Sequence, residues 1–243
     1  MEIDTIVISA GGQGTRMRDL LGDVPKILAP IEGVPFLHLV LNRWKEIGIK
    51  NIHMLLGYKS AEIWMSCQEW LSSDEENQKK VRISASIEPY PLGVGGALVL
   101  ATSFLNKPFI LTYGDVYPTV DIKALCECME EPFVGCMAIC PKEIAKEPGN
   151  IELEDEYIVR YDKSKITLDY VDVGAIALKP EALQWKSYSS LSEGEILNEF
   201  IRNKKLKGYL HYLPSKHIGD PQAYTDFVQW FQRTGEKNGK EKI

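Results

Sequence analysis

The sequence predicts an α/β protein with a single Rossmann-like, mostly parallel sheet, helices on both faces and a small antiparallel extension. Short apolar runs alternate with amphipathic segments over the first 140 residues, which is how parallel strands and their crossover helices follow one another. After residue 141 the apolar runs shorten and charged connections separate them, which predicts the extension. The 243 residues, 44% of them hydrophobic, can fill the core of one large domain.

The predicted strands are short runs of apolar or alternating residues. Thr5–Ser9 and Phe109–Tyr113 are apolar runs typical of buried strands, whereas Val81–Ile87 alternates as a half-buried strand does. The complete set is Thr5–Ser9, Asn51–Leu56, Val81–Ile87, Phe109–Tyr113 and Val134–Ile139, followed by Ile151–Leu153, Tyr157–Tyr161 and Val171–Leu178 in the antiparallel extension.

The predicted helices have apolar residues at helical spacing and recognisable ends. Phe36–Ile47 ends at Gly48, a residue suited to the position after a helix. The others are Ala61–Leu71, Ala97–Leu105, a helix capped by Asp121 and running through Met129, one opened by the capping box Ser192-x-x-Glu195 and ending at about Asn203, and one with Asp220 as N-cap before Pro221. Residues 1–234 are expected to form the domain, and the charged, aperiodic tail 235–243 is expected to be disordered.

Composition excludes several function classes. A net charge of -6 argues against a general nucleic-acid binder. No apolar stretch approaches the roughly 20 residues that span a bilayer, and the N-terminal residues lead directly into a strand without a signal peptide. We therefore expect a cytoplasmic protein that binds neither nucleic acid nor membranes.

Five cysteines, an odd number, indicate reduced thiols. The spacing Cys126-x-Cys128 and Cys136-x-x-x-Cys140 suggests a zinc site as one interpretation. The first pair lies in a predicted helix, where residues two apart do not face each other. Small buried hydrophobic side chains are the interpretation we favour.

A glycine-rich turn after the first strand carries the strongest functional signal. Residues 9–26 read Ser-Ala-Gly-Gly-Gln-Gly-Thr-Arg-Met-Arg-Asp-Leu-Leu-Gly-Asp-Val-Pro-Lys. Glycines let main-chain N–H groups approach an anion, and Arg16, Arg18 and Lys26 add positive charge. A Walker loop does not fit because Gly-x-x-x-x-Gly-Lys-Ser/Thr is absent, and a Rossmann fingerprint does not fit because Arg16 and Met17 replace its packing glycine. The turn therefore predicts a polyphosphate site.

This segment resembles the signature of the sugar-1-phosphate nucleotidyltransferases, Gly-Gly-x-Gly-Thr-Arg-x-Arg…Pro-Lys, and the match continues through Phe36 and Leu37. It covers most of the chain, from residue 3 to about residue 228, and is most like the heptose- and mannose-1-phosphate guanylyltransferases. The resemblance implies an enzyme that joins a nucleoside triphosphate to a sugar 1-phosphate, with release of pyrophosphate, for surface-glycan biosynthesis. These folds often pair, so a homodimer is one option.

On the nucleotide side, the resemblance assigns catalytic roles to Arg16, which would neutralise the leaving pyrophosphate, and to Lys26, which would contact the phosphates in the transition state. Glu88 stands where relatives read the base. An ionised Glu only accepts hydrogen bonds and so matches the two adjacent donors of guanine, which favours GTP over UTP or dTTP. The alternative is that Glu88 points away and backbone groups read the base. The other nucleotide-binding residues implied are Ala10, Gly11, Gly12, Gly14, Thr15, Pro91, Gly93 and Gly114.

The metal ligands are expected to include Asp115, which the resemblance places on Mg²⁺ against the triphosphate. Relatives supply a second carboxylate from an Asp-x-Gly-Thr-Pro string, and here the text is His217-Ile218-Gly219-Asp220-Pro221. Asp115 would then hold the metal with phosphate oxygens and water, or His217 would bind a softer ion such as Mn²⁺, or activity would be weakened. Asp220 suits a helix N-cap better than a metal site.

On the sugar side, the resemblance places Lys163 on the sugar phosphate, and Gly149, Asp172 and Gly174 near the sugar hydroxyls. Asp172 replaces the usual Asn, so it would accept hydrogen bonds from hydroxyls without donating any. Two other functions stay open. One is a binding or regulatory homologue weakened at His217, and the other is a cytidylyl- or uridylyltransferase acting on another phosphorylated substrate.

Overall fold

The computed structural model describes residues 3–164, 167–183 and 190–234, so the expected disorder of residues 235–243 lies outside the described residues. The strands in these ranges are β1 Thr5–Ser9, β2 Pro30–Ile31, β3 Val34–Pro35, β4 Asn51–Leu56, β5 Arg82–Ile87, β6 Phe109–Tyr113, β7 Val116–Tyr117, β8 Gly135–Pro141, β9 Ile151–Glu154, β10 Tyr157–Tyr161, β11 Tyr170–Leu178, β12 Leu206–Leu210 and β13 Lys216–His217. The α-helices are α1 Arg18–Leu21, α2 Phe36–Ile47, α3 Ser60–Ser72, α4 Glu75–Lys80, α5 Gly93–Ala101, α6 Ile122–Glu127, α7 Lys142–Ala145, α8 Glu193–Arg202 and α9 Pro221–Thr234.

A nine-stranded sheet in the order β5-β4-β1-β6-β11-β8-β12-β10-β9 organises the molecule. The four strands β5, β4, β1 and β6 are parallel neighbours, and β12 is parallel to β8. Parallel strands joined by helices end at the same edge of a sheet. The predicted α/β class is therefore confirmed, and the ends of these strands become the place to look for a site.

The antiparallel extension was predicted with one strand too many. Only β9 and β10 lie at the far edge, whereas β11 is inserted between β6 and β8 and is antiparallel to both. The run Val173–Leu178 is almost entirely buried, and a strand buried on both faces belongs in the middle of a sheet. The apolar residues of β11 indicated a buried, central strand. The charged connections around it in the sequence indicated the antiparallel extension instead.

Two hydrophobic clusters cover the two faces of the sheet. Alternate residues of β1 illustrate the division, since Ile6 and Ile8 pack in one cluster and Val7 packs in the other. Helices α2, α3, α6 and α9 contribute to the first cluster, and α5 and α8 to the second. Covering both faces explains why the central strands β1, β6 and β8 are largely apolar.

The predicted helix ends are largely correct. Asp121 and Asp220 accept hydrogen bonds from the N–H groups of Ala124 and Ala223, and Gly48 has a left-handed φ of 99°. The capping box at the start of α8 is present. The helix capped by Asp121 ends at Glu127 rather than at Met129.

The second glycine-rich segment is part of a helix rather than a loop before one. Helix α5 begins at Gly93, not at Ala97 as predicted. A Cβ on Gly93 would lie 2.7 Å from the Leu191 carbonyl oxygen. A Cβ on Gly95 would lie 2.6 Å from the Ser192 carbonyl oxygen. These glycines therefore let α5 approach the segment before α8, and the N–H of Gly96 donates to the Leu191 carbonyl at 3.1 Å.

The five cysteines are free, and all except Cys128 are buried. Cys67, Cys126, Cys136 and Cys140 pack in one hydrophobic cluster, and no group of His, Cys, Asp or Glu suited to a metal occurs among the described residues. The interpretation as small hydrophobic side chains is the one that fits. None of the helices in the described ranges has the length and apolarity needed to cross a bilayer.

Candidate active site

Four parallel strands end around one cavity of about 640 Å³. The cavity is lined by residues at the carboxyl ends of β1, β4, β5 and β6, where an open α/β sheet places its ligands. A second cavity of about 320 Å³ lies beside it. Tyr113, Asp115 and Lys163 line both cavities and mark their boundary.

The glycine-rich turn borders the first cavity as predicted. Ala10, Gly11, Gly12 and Gly14 line it, whereas Thr15 lines neither cavity as far as the described residues show. Gly14 has a left-handed φ of 61°, and a Cβ there would lie 3.3 Å from the Cβ of Lys26. This close approach brings the turn against the lysine-bearing segment.

Lys26 and Asp115 form an ion pair at the boundary, with Nζ 2.5 Å from Oδ2. Asp115 follows β6 through Gly114, whose N–H donates to the Ser9 carbonyl at 2.8 Å. A Cβ on Gly114 would lie 2.9 Å from Cδ1 of Ile27, so a side chain there would push the two segments apart. The pair is about one-fifth exposed, so both groups can be reached by a ligand in the cleft.

Glu88 lines the first cavity, and its carboxylate is held by a neighbouring backbone N–H group. Oε2 accepts from the N–H of Leu92 at 2.8 Å. Cβ atoms on Gly57 and Gly11 would lie 2.3 Å and 3.0 Å from Oε1, so both glycines make room for this carboxylate. Pro91 and Gly93 complete this side of the cavity, as predicted. Glu88 therefore borders the first cavity, and its role in reading the base stays a prediction.

The second cavity contains several of the residues predicted for the sugar side. Asp172 and Gly174 line it at the start of β11, where Gly174 has a φ of 84° and its N–H donates to Oδ1 of Asp172 at 2.8 Å. Burial raises the pKa of the Asp172 carboxyl, and the charge of Lys163 opposes this rise. Gly149 itself does not line the cavity within the described residues, although Pro148 and Asn150 do.

Gly149 is explained by backbone packing and not by the cavity. It forms a bridge with Leu168, and a Cβ at this position would lie only 2.2 Å from the Leu168 carbonyl oxygen. The neighbouring Asn150 accepts from the N–H of Asp172 at 3.0 Å through its side-chain oxygen. Asn150 therefore fixes the start of β11, a function that sequence reasoning missed.

Arg16 lines the second cavity rather than the first, together with Asp115, Glu147 and His217. Met17, which is 1% exposed, anchors the short turn that carries Arg16. The turn is thus held by a buried neighbour of Arg16, while the Arg16 side chain is exposed.

Both ring nitrogens of His217 already have partners. Nδ1 accepts from the N–H of Gly219 at 3.1 Å, and Nε2 lies 3.5 Å from Oε1 of Glu147. The hydrogen bond with Glu147 raises the pKa of His217, and burial opposes the rise. A ring in this arrangement has no free lone pair for a metal, which argues against His217 as a ligand.

Asp115 fits a magnesium site better. Mg²⁺ is commonly bound through one or two carboxylates together with substrate phosphates and water. Asp115 offers one carboxylate at the boundary of the cavities, beside Lys26 and the glycine-rich turn. The donor set of the described residues is therefore adequate only when a phosphate ligand completes it.

Lys163, which lines both cavities, contacts a carboxylate and two tyrosine rings. Its Nζ donates to Oε2 of Glu193 at 2.7 Å and lies 5.4 Å from the ring centroids of Tyr113 and of Tyr161. The Tyr161 hydroxyl donates to the same oxygen of Glu193 at 3.1 Å. Sequence reasoning found Lys163 but missed Glu193 and both tyrosines, because they come from separate elements.

Most of the residues that line the first cavity lie within a known domain. A profile of the MobA-like NTP transferase domain matches residues 6–151, which is more than half of the chain. The chain belongs to the MobA-like NTP transferase domain family. The match includes the phosphate-binding turn, Glu88 and Asp115, whereas Lys163, Asp172 and His217 lie beyond it.

Individual relatives match over nearly the full length. The D-glycero-alpha-D-manno-heptose 1-phosphate guanylyltransferase of Campylobacter jejuni is 28% identical over 91% of this chain and 97% of its own. A probable glucose-1-phosphate cytidylyltransferase of Bacillus subtilis is 24% identical over 85% and 87%. The crystal structure of HddC from Yersinia pseudotuberculosis complexed with GMP-PN aligns with a TM-score of 0.77 and 23% identity over 94% of this chain and all of HddC. This likeness confirms the fold.

Proposed function

We propose that this protein transfers a guanylyl group from GTP to a heptose or hexose 1-phosphate, releasing pyrophosphate and giving a nucleotide-sugar for surface glycans. The observation that carries the proposal is the pair of cavities that meet at Tyr113, Asp115 and Lys163. One cavity borders a phosphate-binding turn, and the other is lined by polar groups suited to hydroxyls. The C. jejuni guanylyltransferase, similar over nearly its whole length, supports the same reaction.

The reaction needs no covalent intermediate. A phosphate oxygen of the sugar 1-phosphate attacks the α-phosphorus of the nucleotide, and the bond from that phosphorus to the bridging oxygen of the β-phosphate breaks. Catalysis is then a matter of positioning and of charge stabilisation. Lys26 stabilises the charge on the transferred group, and Lys163 holds the incoming sugar phosphate. The family resemblance assigns Arg16 to the leaving pyrophosphate, although its side chain lines the second cavity in this structure.

Magnesium fits the site through Asp115. When bound there together with phosphate oxygens, it would supply Lewis-acid stabilisation of the charge at the α-phosphate. Asp115 has Lys26 as its partner in the structure, so a metal would share this carboxylate with the lysine or take its place.

The preference for GTP rests on Glu88. Its Oε2 is held by the Leu92 N–H, and Oε1 lies in the space that Gly11 and Gly57 leave free. A fixed carboxylate beside the cavity complements the N1–H and 2-amino donors of guanine, whereas uracil and thymine present an acceptor beside a single donor.

The test is pyrophosphate release from GTP, UTP, CTP and dTTP with a panel of heptose and hexose 1-phosphates, in the presence of Mg²⁺ or Mn²⁺. We expect turnover with GTP to exceed that with the other nucleotides. Faster turnover with CTP would favour a cytidylyltransferase, consistent with the B. subtilis relative. No turnover with any pair would leave the binding homologue as the better description.

A single substitution tests the base assignment separately. Glu88→Gln replaces the carboxylate by a group that donates and accepts, so we expect it to lower kcat/KM for GTP and to raise it for UTP or dTTP. An unchanged nucleotide preference in this variant would refute the role of Glu88 while leaving the transferase activity itself intact.

A further inference from the structure

Glu193 is a carboxylate in an unusual setting. It is the first residue of α8, it is 8% exposed, and it lines the first cavity. Burial raises its pKa to about 7. Oε2 accepts two hydrogen bonds, from Tyr161 and Lys163, whereas Oε1 is buried and has no hydrogen-bond partner in the part of the chain that the structure describes.

The charge of Glu193 depends on Lys163. The ammonium of Lys163, 2.7 Å away, is the cation paired with Glu193 among the described residues. A buried carboxylate with one unsatisfied oxygen is costly unless a positive charge is close. Helix α8 begins at Glu193, and the helix N-terminus adds a favourable partial charge, but it does not supply a partner for Oε1.

Lys163 is held in turn by Glu193. The lysine side chain is about half exposed and lies over the faces of Tyr113 and Tyr161, with Nζ 5.4 Å from each ring centroid. An ammonium has three N–H donors, and Glu193 takes one of them. The others are available where the two cavities meet, since Lys163 lines both.

Asp172 is the competing anion. It lines the second cavity and lies close enough for the charge of Lys163 to lower its pKa. No hydrogen bond joins Lys163 to Asp172 among those described, whereas the bond to Glu193 is short. The lysine is thus held on the Glu193 side and does not close over the second cavity.

We propose that Glu193 is a positioning residue that anchors the Lys163 ammonium at the boundary of the two cavities, with its remaining N–H groups directed at an incoming phosphate. This inference rests on the proposed function, because it assigns that phosphate to the sugar 1-phosphate. Glu193 acts through Lys163 and does not itself touch the reacting atoms.

The experiment is a double-mutant cycle with Glu193→Gln, Lys163→Ala and the double variant. Gln keeps an acceptor for Tyr161 and removes the charge. Calorimetry with inorganic phosphate gives a Kd for each protein that does not depend on turnover, and kinetics with the best sugar 1-phosphate gives KM and kcat. Glu199→Gln on the same helix, where Glu199 pairs with Arg202 instead, is the matched control. Thermal melts identify any variant that does not fold.

We expect Glu193→Gln to weaken phosphate binding and to raise KM for the sugar 1-phosphate roughly tenfold, the worth of a hydrogen bond to a charged group. In the Lys163→Ala background the same substitution should change neither value more than twofold.

Three results would overturn the inference. An equal loss in both backgrounds means that Glu193 acts without Lys163, as a merely structural residue would. Tighter phosphate binding in Glu193→Gln means that Glu193 competes with the substrate. No effect of Lys163→Ala on phosphate binding removes the anchored group altogether. If no sugar phosphate is turned over, the proposed function fails, yet the phosphate cycle still gives an answer on Glu193.

Discussion

Gly57→Ala tests the base-reading site without touching a residue that bears a functional group. Gly57 follows β4, and its φ is not among the left-handed values, so alanine can adopt the backbone conformation. The new Cβ would lie 2.3 Å from Oε1 of Glu88 and 3.0 Å from the Gly11 carbonyl oxygen. That carbonyl accepts from the Tyr58 N–H, so the Glu88 side chain has to move.

The size of the effect follows from the distance. Restoring an ordinary contact requires Glu88 to retreat by roughly 1 Å, which breaks its 2.8 Å bond with the Leu92 N–H. A hydrogen bond to a charged group is worth about 1.5–3 kcal/mol. If the displaced carboxylate also loses the base, we expect KM for GTP to rise roughly tenfold to a hundredfold.

The assay is GTP affinity by calorimetry, together with the nucleotide preference in pyrophosphate release. Gly194→Ala is the matched control, because a Cβ there meets nothing nearer than 4.0 Å and alanine favours a helix. Unchanged GTP affinity and an unchanged preference in Gly57→Ala, with folding intact, would refute the argument that Glu88 reads the base.

Three further predictions concern single residues. Asp115→Asn should lower kcat at least roughly a hundredfold in a Mg²⁺ titration, because the lost charge stabilises the transition state; retention of most activity would contradict the metal role. His217→Ala should leave the Mg²⁺ concentration for half-maximal activity within twofold, because both ring nitrogens already have partners; a large shift would mean that the ring binds the metal. Burial lowers the pKa of His53 from 6.5 to about 4, so the unfolded chain binds more protons between these values. Burial of the neutral His53 ring therefore does not reduce the free energy of unfolding above pH 6.5. As the pH drops from 6.5 to 4, the free energy of unfolding decreases by about 3 kcal/mol because the unfolded chain binds a proton that the folded chain does not. Urea titrations of wild type and His53→Gln should show that this share of the pH dependence disappears in the variant, and identical slopes would refute it.

The sequence was a good guide to the nucleotide half of the cleft. The glycine-rich turn, Glu88 and Asp115 follow the parallel strands β1, β5 and β6, and parallel strands bring such positions to one edge. The roles assigned to these residues stay predictions, but their proximity is now observed. Thr15 and Gly149 do not border the cavities formed by the described residues.

The partners of Lys163 and of Glu88 were less accessible to prediction because these residues meet only through tertiary contacts. Glu193 reaches Lys163 across 30 positions, and in sequence it is merely one of several acidic residues after a capping serine. Gly57 looked like any glycine after a strand, and only the distance to Glu88 shows that a side chain there would displace the carboxylate.

Two of the elements that the sequence analysis missed, α4 and β12, were missed for different reasons. Helix α4 is polar all round, yet Asp74 caps it and Glu75 and Glu76 pair with the lysines four positions on, at 3.0 Å and 2.6 Å. This pattern could have been recognised. Strand β12 reads Leu-Lys-Gly-Tyr-Leu and has a glycine at its centre; its place beside β8 is decided by the sheet and not by local preference.

The insertion of β11 between β6 and β8 affects how the linings of the two cavities can be changed separately. Its pairing with β6 sets Ala175 opposite Thr112, so the start of β11 lies beside the end of β6, and Asp172 and Asp115 come from two hydrogen-bonded neighbours. The matched family domain ends at residue 151, before β11 begins. The boundary between β6 and β11 is therefore a suitable place to join this chain to a segment from a relative. Exchanging the later segment would bring a different second cavity to the same first cavity, provided that the register is kept. A slip of one residue would turn Asp172 to the opposite face.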